Sequence, residues 1–392
     1  MARRRGGTTP ASCGRRASSR RACRGCRRSA SPISGSACWR GSRSASPGPL
    51  GAPGRVAVEL GGAQGIEMAM RIVAANRGPA PVLTFQGGYH GRSPFTAHLS
   101  ASSRYRAAQP WSGPEVVRLP SPDCTTCPHQ PAGGGCNPGC AAAIERLGVD
   151  DSLGVPPQVG ALVIEPLLNV GGFVLPDSNH LRRVVDHVRA LGGLIVVDEI
   201  FTGLHRFGPE WGFQLHGIEP DIVVASKALT NGVTPLSCVW AREPLAAPDV
   251  FPPGSHSSTF AGNPLALAVV DVVLDRWDRW NCAARDVAEL DTLLATALRP
   301  LTAQDLVRDV RVVGGLAAVE LTGPHAARVR AAAACPSGDR PGLLLASTGM
   351  APSTVAVHPP PRDRSAAPAV MPYHQRSAAT AGCADPWNGP RR

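Results

Sequence analysis

The feature that most constrains the fold is a set of three short apolar runs, each ending in a polar or ionisable side chain. Gly160-Ala161-Leu162-Val163-Ile164 ends at Glu165, Leu194-Ile195-Val196-Val197 at Asp198 and Glu199, and Ile222-Val223-Val224-Ala225 leads to Lys227. Apolar runs of this length without alternation read as strands buried on both faces, as in parallel sheets covered by helices. Between the first two runs, Leu181, Val184, Val185, Val188 and Leu191 fall on one stripe of an amphipathic helix, started by Asp177-Ser178 and ended by Gly192-Gly193. The pattern predicts strand-helix-strand units in an α/β protein whose sheet is mostly parallel, with helices on both faces. Ligands of such sheets bind outside the carboxyl ends of the strands, so the residues that end the three runs would converge on one crevice. Solvated loop charges explain one such coincidence but explain three poorly.

Of the 40 Lys and Arg residues in the 392-residue chain, 39 are arginine, and the lone lysine is Lys227. An amine can lose its proton and attack a carbonyl carbon, which a guanidinium cannot. The count alone fits chance survival in an arginine-enriched chain equally well. Upstream, the small-residue turn Gly61-Gly62-Ala63-Gln64-Gly65 precedes a helical segment with Ile66, Met70, Val73 and Ala74 along one side. Free backbone N–H groups and the dipole at such a helix start suit a phosphate. No Gly-x-Gly-x-x-Gly and no Lys-Ser/Thr follows, so the phosphate would not be a nucleotide's. A phosphate cradle, a strand-end carboxylate and a lysine 29 positions after it match the needs of pyridoxal 5'-phosphate: Lys227 for a Schiff base, Asp198 to keep the pyridine nitrogen protonated.

Several motifs then fall in order: Gly61-Gly62-Ala63, Gly87-Gly88-Tyr89-His90-Gly91, Ile164-Glu165-Pro166, Val197-Asp198-Glu199-Ile200 with Thr202-Gly203 and Arg206, Glu219-Pro220-Asp221-Ile222 before Lys227, and Ser258-Thr259-Phe260 with Gly262-Asn263-Pro264-Leu265. Over roughly residues 56 to 323 the chain resembles the class III pyridoxal-phosphate aminotransferases, the 4-aminobutyrate and ornithine aminotransferase group. The resemblance implies the pyridoxal-phosphate transferase fold type I and pyridoxal 5'-phosphate as cofactor. It implies that Lys227 is the Schiff-base lysine and also the proton shuttle, and that Asp198 is the partner of the ring nitrogen. Ile200 would support the ring from behind, Tyr89 would stack on its front face with His90 beside it, and Gly62 and Ala63 would hold the phosphate. Thr259 would join them from a second subunit, making the protein a homodimer, and Glu165 would shape the substrate pocket. Without the flanking motifs, Tyr89 reads as a core aromatic, Thr259 as a helix cap and Glu165 as a local pair.

Departures from the family pattern matter for substrate. Phe201 stands where many relatives place a glutamine that bonds the cofactor's phenolic oxygen, and Leu168 replaces another frequent glutamine. Val355-Ala356-Val357-His358-Pro359-Pro360 resembles the closing segment but lacks the arginine expected near Ala356, which would clamp a substrate carboxylate by a bidentate pair. The expected domains are a disordered basic leader at 1–55, a large cofactor-binding domain at 56–275, a partial small C-terminal α+β domain at 276–360 and a disordered tail at 361–392. Both ends are expected to be unrelated or frame-shifted text around a retained core.

The net charge of +11 arises in the leader, since residues 1–58 hold thirteen arginines and no acid. The total therefore gives no argument for nucleic acid as a partner. An Arg- and Ser-rich, acid-free start also resembles a transit peptide or a nucleic-acid-binding tail, but its Gly, Pro and Ser content without an apolar period fits disorder better. No run approaches the roughly 20 apolar residues of a membrane span. The twelve cysteines are not dense enough for a disulfide scaffold, and no signal-peptide core follows the first arginines, so a cytoplasmic setting is expected. Cys124-x2-Cys127-x8-Cys136-x3-Cys140, in a Cys-rich insertion at 121–141, could hold zinc or an iron–sulfur cluster, or carry free thiols. The expected activity is transfer of an amino group from an amine or ω-amino acid donor to a 2-oxo acid acceptor. The competing readings are an inactive relative that keeps only the cofactor-domain core, and a metal- or nucleic-acid-binding protein, which leaves the strand-end residues unexplained.

Overall fold

The computed structural model describes residues 54–107, 113–123, 138–280, 282–336 and 342–359. In chain order its main elements are β1 (Gly54–Glu59), α1 (Gly62–Arg77), β2 (Val82–Phe85), α2 (Thr96–Leu99), β3 (Val116–Leu119), α3 (Pro138–Ile144), β4 (Ala161–Ile164), α4 (Ser178–Ala190), β5 (Leu194–Asp198), β6 (Ile222–Ala225) and β7 (Ser237–Arg242). There follow α5 (Pro264–Arg279), α6 (Ala283–Leu298), β8 (Val307–Val313), β9 (Leu316–Leu321), α7 (Ala326–Ala334), β10 (Ala346–Ser347) and β11 (Thr354–Val357).

The three apolar runs form β4, β5 and β6, adjacent and parallel in a seven-stranded sheet of order β1-β7-β6-β5-β4-β2-β3. Only β7 runs against its neighbours, pairing antiparallel with both β6 and β1. Successive side chains of a strand point to opposite faces, which is why unbroken apolar runs are needed here. Leu162, Ile164, Ile195, Val197 and Val223 pack with Leu181, Val184, Val185 and Val188 of α4 and with Ala266 and Val270 of α5. The intervening Ala161, Val163, Leu194, Val196, Ile222 and Val224 pack on the other face against Ile66, Ala69, Met70 and Val73 of α1. Each fully buried Leu, Ile or Val contributes about 1.5–3 kcal/mol, so these two layers carry most of the apolar stabilisation.

Local chemistry sets the helix ends. The Asp177 side chain caps α4, accepting from the His180 N–H at 2.8 Å. The helix stops at Gly192, whose φ of 77° suits glycine, while a side chain on Gly193 would meet Val188 Cγ1 at 2.6 Å. In α1 the buried stripe is wider than expected and includes Met68 and Ile72, but Ala74 is exposed. At 100° per residue, Ala74 has rotated past the edge of the buried stripe, which is centred on Ala69.

A second sheet, all antiparallel, has the order β10-β11-β9-β8. Its Leu316, Ala318 and Ala356 pack with Leu167, Phe173 and Phe207 from loops of the large sheet. Helix α5 runs unbroken across position 275: Ala266 and Val270 lie on the large sheet, and Trp277 meets Trp280 and His205 beyond. The expected leader overlaps β1 at its end, because Gly54 and Arg55 already pair with Arg242 and Ala241 of β7. The rest of the leader, the tail at 361–392, and Cys124, Cys127 and Cys136 lie outside the described residues. Cys140, in α3, is half-buried, and no cluster with metal-ligand geometry occurs among the described residues. No described helix is long and apolar enough to cross a membrane.

Candidate active site

Because β4, β5 and β6 are parallel neighbours, their carboxyl ends share one edge of the sheet, and the structure brings Glu165, Asp198 and Lys227 to it. Asp198 is 4% exposed. Its Oδ1 accepts from the Ile200 N–H at 3.1 Å, and its Oδ2 lies 3.0 Å from Nδ1 of the buried His90. Burial pulls the His90 pKa down, but the hydrogen bond to Asp198 and the charges of Asp198 and Glu165 outweigh it, and the net shift is upward. His90 is fixed in turn by its backbone N–H, which donates to Ser100 Oγ at 2.9 Å. The adjacent Tyr89 N–H donates to Glu165 Oε1 at 2.8 Å, tying the Gly87–Gly91 loop to the end of β4. Burial raises the Glu165 pKa to about 7, against the opposing charge of His90.

Lys227 sits directly after β6 with φ of 31°, an uncommon conformation for a residue with a Cβ. The strain is held by Ser226, whose Oγ donates to the Leu236 carbonyl at 2.7 Å and whose own carbonyl accepts from the Leu229 N–H at 2.9 Å. The residue is exposed, yet the protein mass around it lowers the ammonium pKa by desolvation, against the raising charges of Asp198 and Glu165. Its Nζ lies 5.6 Å from the Phe201 ring centroid. Phe201 continues into an aromatic wall with Phe173 and His358, whose ring centroids are 5.1 Å apart. Burial, and then the neighbouring Arg206 charge, depress the His358 pKa to about 4, so this imidazole is neutral at pH 7. Burial also lowers the Arg206 pKa, to about 10, and its guanidinium donates to the Pro359 carbonyl at 3.1 Å.

Gly61-Gly62-Ala63 forms the amino-terminal edge of α1, with Gly61 in extended conformation and no side-chain cap. The first N–H groups of this 16-residue helix have no partner within it, and β1, which leads into the helix, ends on the same edge as β6. A Cβ on Gly62 would approach Ile200 Cδ1 to 2.9 Å, so the Ile200 side chain occupies the space beside the turn. Tyr89 is half-buried, edge-on to Tyr105 at 5.4 Å, with the Arg92 guanidinium 5.8 Å from its ring.

One expectation needs correction. Glu199 does not join the crevice: its Oε1 accepts from the Phe213 N–H at 2.8 Å, and its Oε2 accepts from the Thr202 hydroxyl. It is the second residue of a strand-end pair, and its carboxylate closes the 202–213 loop instead. Thr259, expected to act from a second subunit, lies exposed in the segment before α5. The aromatic wall was only partly legible, since Phe173 carries no motif and meets Phe201 and His358 through tertiary packing.

The residues at the sheet edge fit pyridoxal phosphate. An uncapped, side-chain-free helix start suits its phosphate. A buried carboxylate already bonded to a histidine suits a protonated ring nitrogen, and a single amine of lowered pKa suits its aldehyde. Fold and site together define a pyridoxal-phosphate-dependent protein of fold type I. The class III aminotransferase family model matches residues 49–361, and the chain belongs to that family, whose members depend on pyridoxal phosphate.

The chain is 31% identical over 276 residues to the mitochondrial alanine–glyoxylate aminotransferase 2 of Homo sapiens, covering 66% of this chain and 53% of that protein. It is 30% identical over 268 residues to the ornithine aminotransferase of an Exiguobacterium species, covering 67% and 60%. A 4-aminobutyrate aminotransferase of Mycobacterium tuberculosis is 30% identical over 330 residues, covering 80% and 70%. The chain thus spans little more than half the length of the first two relatives. Among solved structures, a Bacillus anthracis aminotransferase superposes with a TM-score of 0.69 at 20% identity, covering 79% of this chain and 73% of that one. The ω-transaminase of Pseudomonas jessenii in complex with PMP gives 0.66 at 21% identity, covering 77% and 69%. These likenesses show the fold.

Proposed function

We propose that the protein is an aminotransferase that moves an amino group from a primary amine or ω-amino acid to a 2-oxo acid, acting as a cytoplasmic homodimer. The observation that carries this reading is the buried Asp198–His90 pair on the strand edge that presents Lys227. Pyridoxal phosphate, when bound, supplies an aldehyde that takes up the amino group and a ring that accepts electrons from the neighbouring carbon. Every other task falls to the chain.

Asp198 would hold the proton of a ring nitrogen, and the His90 bond to Oδ2 keeps that carboxylate aimed. The first N–H groups of α1 at Gly62 and Ala63 hold the phosphate, and Ile200 packs beside them. Lys227 Nζ, with its pKa lowered by desolvation, more readily gives up and takes back a proton near neutral pH, as a shuttle at the reacting carbon must. Glu165 fixes the Tyr89 loop over the same edge. The relatives named for alanine–glyoxylate, ornithine and 4-aminobutyrate differ in donor, and they support the reaction class rather than one substrate. The exposed Thr259 and Phe260 near the start of α5 support a dimer in which this segment reaches the partner's phosphate site.

The test is transamination of a panel of amines and ω-amino acids with pyruvate and 2-oxoglutarate, by the wild-type protein and Lys227→Arg. Turnover by the wild type and none by the variant supports the reading. Firm cofactor binding by the wild type without turnover of any pair would replace it with an inactive relative.

A further inference from the structure

The segment between β7 and α5 carries a buried acid–histidine pair that the chemistry above does not use. Glu59, the last residue of β1, is 3% exposed, and among the described residues its one side-chain partner is His256, with Nε2 and Oε1 2.5 Å apart. A carboxylate this deep with one partner is costly to leave unpaired, so the pair fixes where His256 can lie. Three residues past Thr259, Gly262 (φ 65°) sits against the preceding residue of the same strand: a Cβ there would meet Val58 Cγ2 at 3.1 Å. His256 and Gly262 thus bracket Thr259 symmetrically, and both dock on consecutive residues of β1. A third tie comes from α1, where Arg71 donates to the Ser255 carbonyl at 2.9 Å.

Residues 255–262 therefore form an arch whose feet rest on β1 and α1, the two elements that meet at the Gly61-Gly62-Ala63 turn. Its tip is free: Thr259 is exposed and Phe260 is 68% exposed. We infer that Glu59 and His256 are a positioning pair, which locks the arch to the strand that leads into the subunit's own phosphate turn, so that Thr259 is presented in a fixed place to the phosphate of a second copy of the chain. This rests on the dimeric reading of the preceding subsection and adds the residues that aim the arm. One subunit's phosphate turn and the arm it lends its partner become a single rigid body.

The pair acts on cofactor retention and not on chemistry, so Glu59→Gln and His256→Gln should each weaken pyridoxal phosphate binding about tenfold, the effect of one lost charge-assisted hydrogen bond. At saturating cofactor, kcat should stay within about twofold of the parent. The arm's direction is tested in hybrid dimers of a Glu59→Gln subunit with a Lys227→Ala subunit. Only the Glu59→Gln subunit then keeps its lysine, and the intact arch of the other subunit serves it. Parental affinity at that site supports the inference.

Affinity that stays weak in the hybrid would show that Glu59 acts on its own turn, which overturns the inference while leaving the dimer standing. Parental affinity in both single variants overturns it as well. Sedimentation of the parent as a monomer that binds cofactor would instead remove the dimeric reading itself. His256→Asn, shorter by one atom row, guards against misfolding of the first pair: if it folds by circular dichroism and keeps parental affinity, the inference fails.

Discussion

Replacing Glu199 by glutamine should stabilise the protein fully above neutral pH and much less near pH 5. Burial lifts the Glu199 pKa from the ordinary 4.5 to about 7, against the hydrogen bonds from Thr202, Phe213 and Gly212, which pull it down. The folded chain thus holds a proton that the unfolded chain has released between those two values, and its stability falls as pH rises through that window. Below about 4.5 the penalty is absent, and above about 7 it is complete. At roughly 1.4 kcal/mol per pH unit, the full penalty is of order 3 kcal/mol.

Glutamine is isosteric and never ionises, can accept from the Phe213 N–H, and can donate to the Thr202 hydroxyl oxygen. Glu165, raised to about 7 for the same first reason, is present in both proteins and cancels in the comparison. Urea denaturation of parent and variant, followed by circular dichroism at pH 5, 6, 7 and 8, measures the difference. It should open from about 1 kcal/mol at pH 5 to about 3 kcal/mol at pH 8 in favour of the variant. Parallel curves across the series, or a variant less stable at pH 8, would show that Glu199 is ionised in the fold at no cost.

Three further outcomes follow from the same geometry. Asp198→Asn should still attach cofactor to Lys227 but lose at least ~10²-fold in kcat, because an amide cannot keep a ring nitrogen protonated; cofactor absorbance and steady-state rates check both halves. Gly62→Ala places a methyl 2.9 Å from Ile200 Cδ1, and cofactor titration should show several-fold weaker binding with an unchanged melting temperature. Leu162→Ala, fully buried between β4 and the α4 layer, should cost about 2–5 kcal/mol in urea denaturation without altering cofactor affinity in the folded protein.

What could be read from the sequence was what local pattern encodes. The runs of β4, β5 and β6 announced themselves because both faces of each strand are buried, so no polar residue interrupts them. Asp177 and Gly192-Gly193 marked the ends of α4 because capping is chemistry between near neighbours. Asp198 and Lys227 stood out by position and by the absence of any other lysine. The roles of Glu199 and Glu59 were hidden. Adjacent strand-end carboxylates look alike in a sequence, and only the path of the 202–213 loop decides that Glu199 turns inward to Phe213. Glu59 meets a histidine 197 positions away, a contact that no periodicity carries. Ala74 shows the smaller error, in which an apolar residue at helical spacing lies just past the edge of the buried stripe.

The central claim is that the sheet edge exists to present Lys227 to the aldehyde of pyridoxal phosphate. Borohydride reduction of the cofactor-loaded protein, followed by proteolysis and mass mapping, tests it without any assumption about substrate. A phosphopyridoxyl mass on the peptide containing Lys227, absent from Lys227→Arg, is the predicted result. Firmly bound cofactor that leaves this peptide unlabelled after reduction would contradict it.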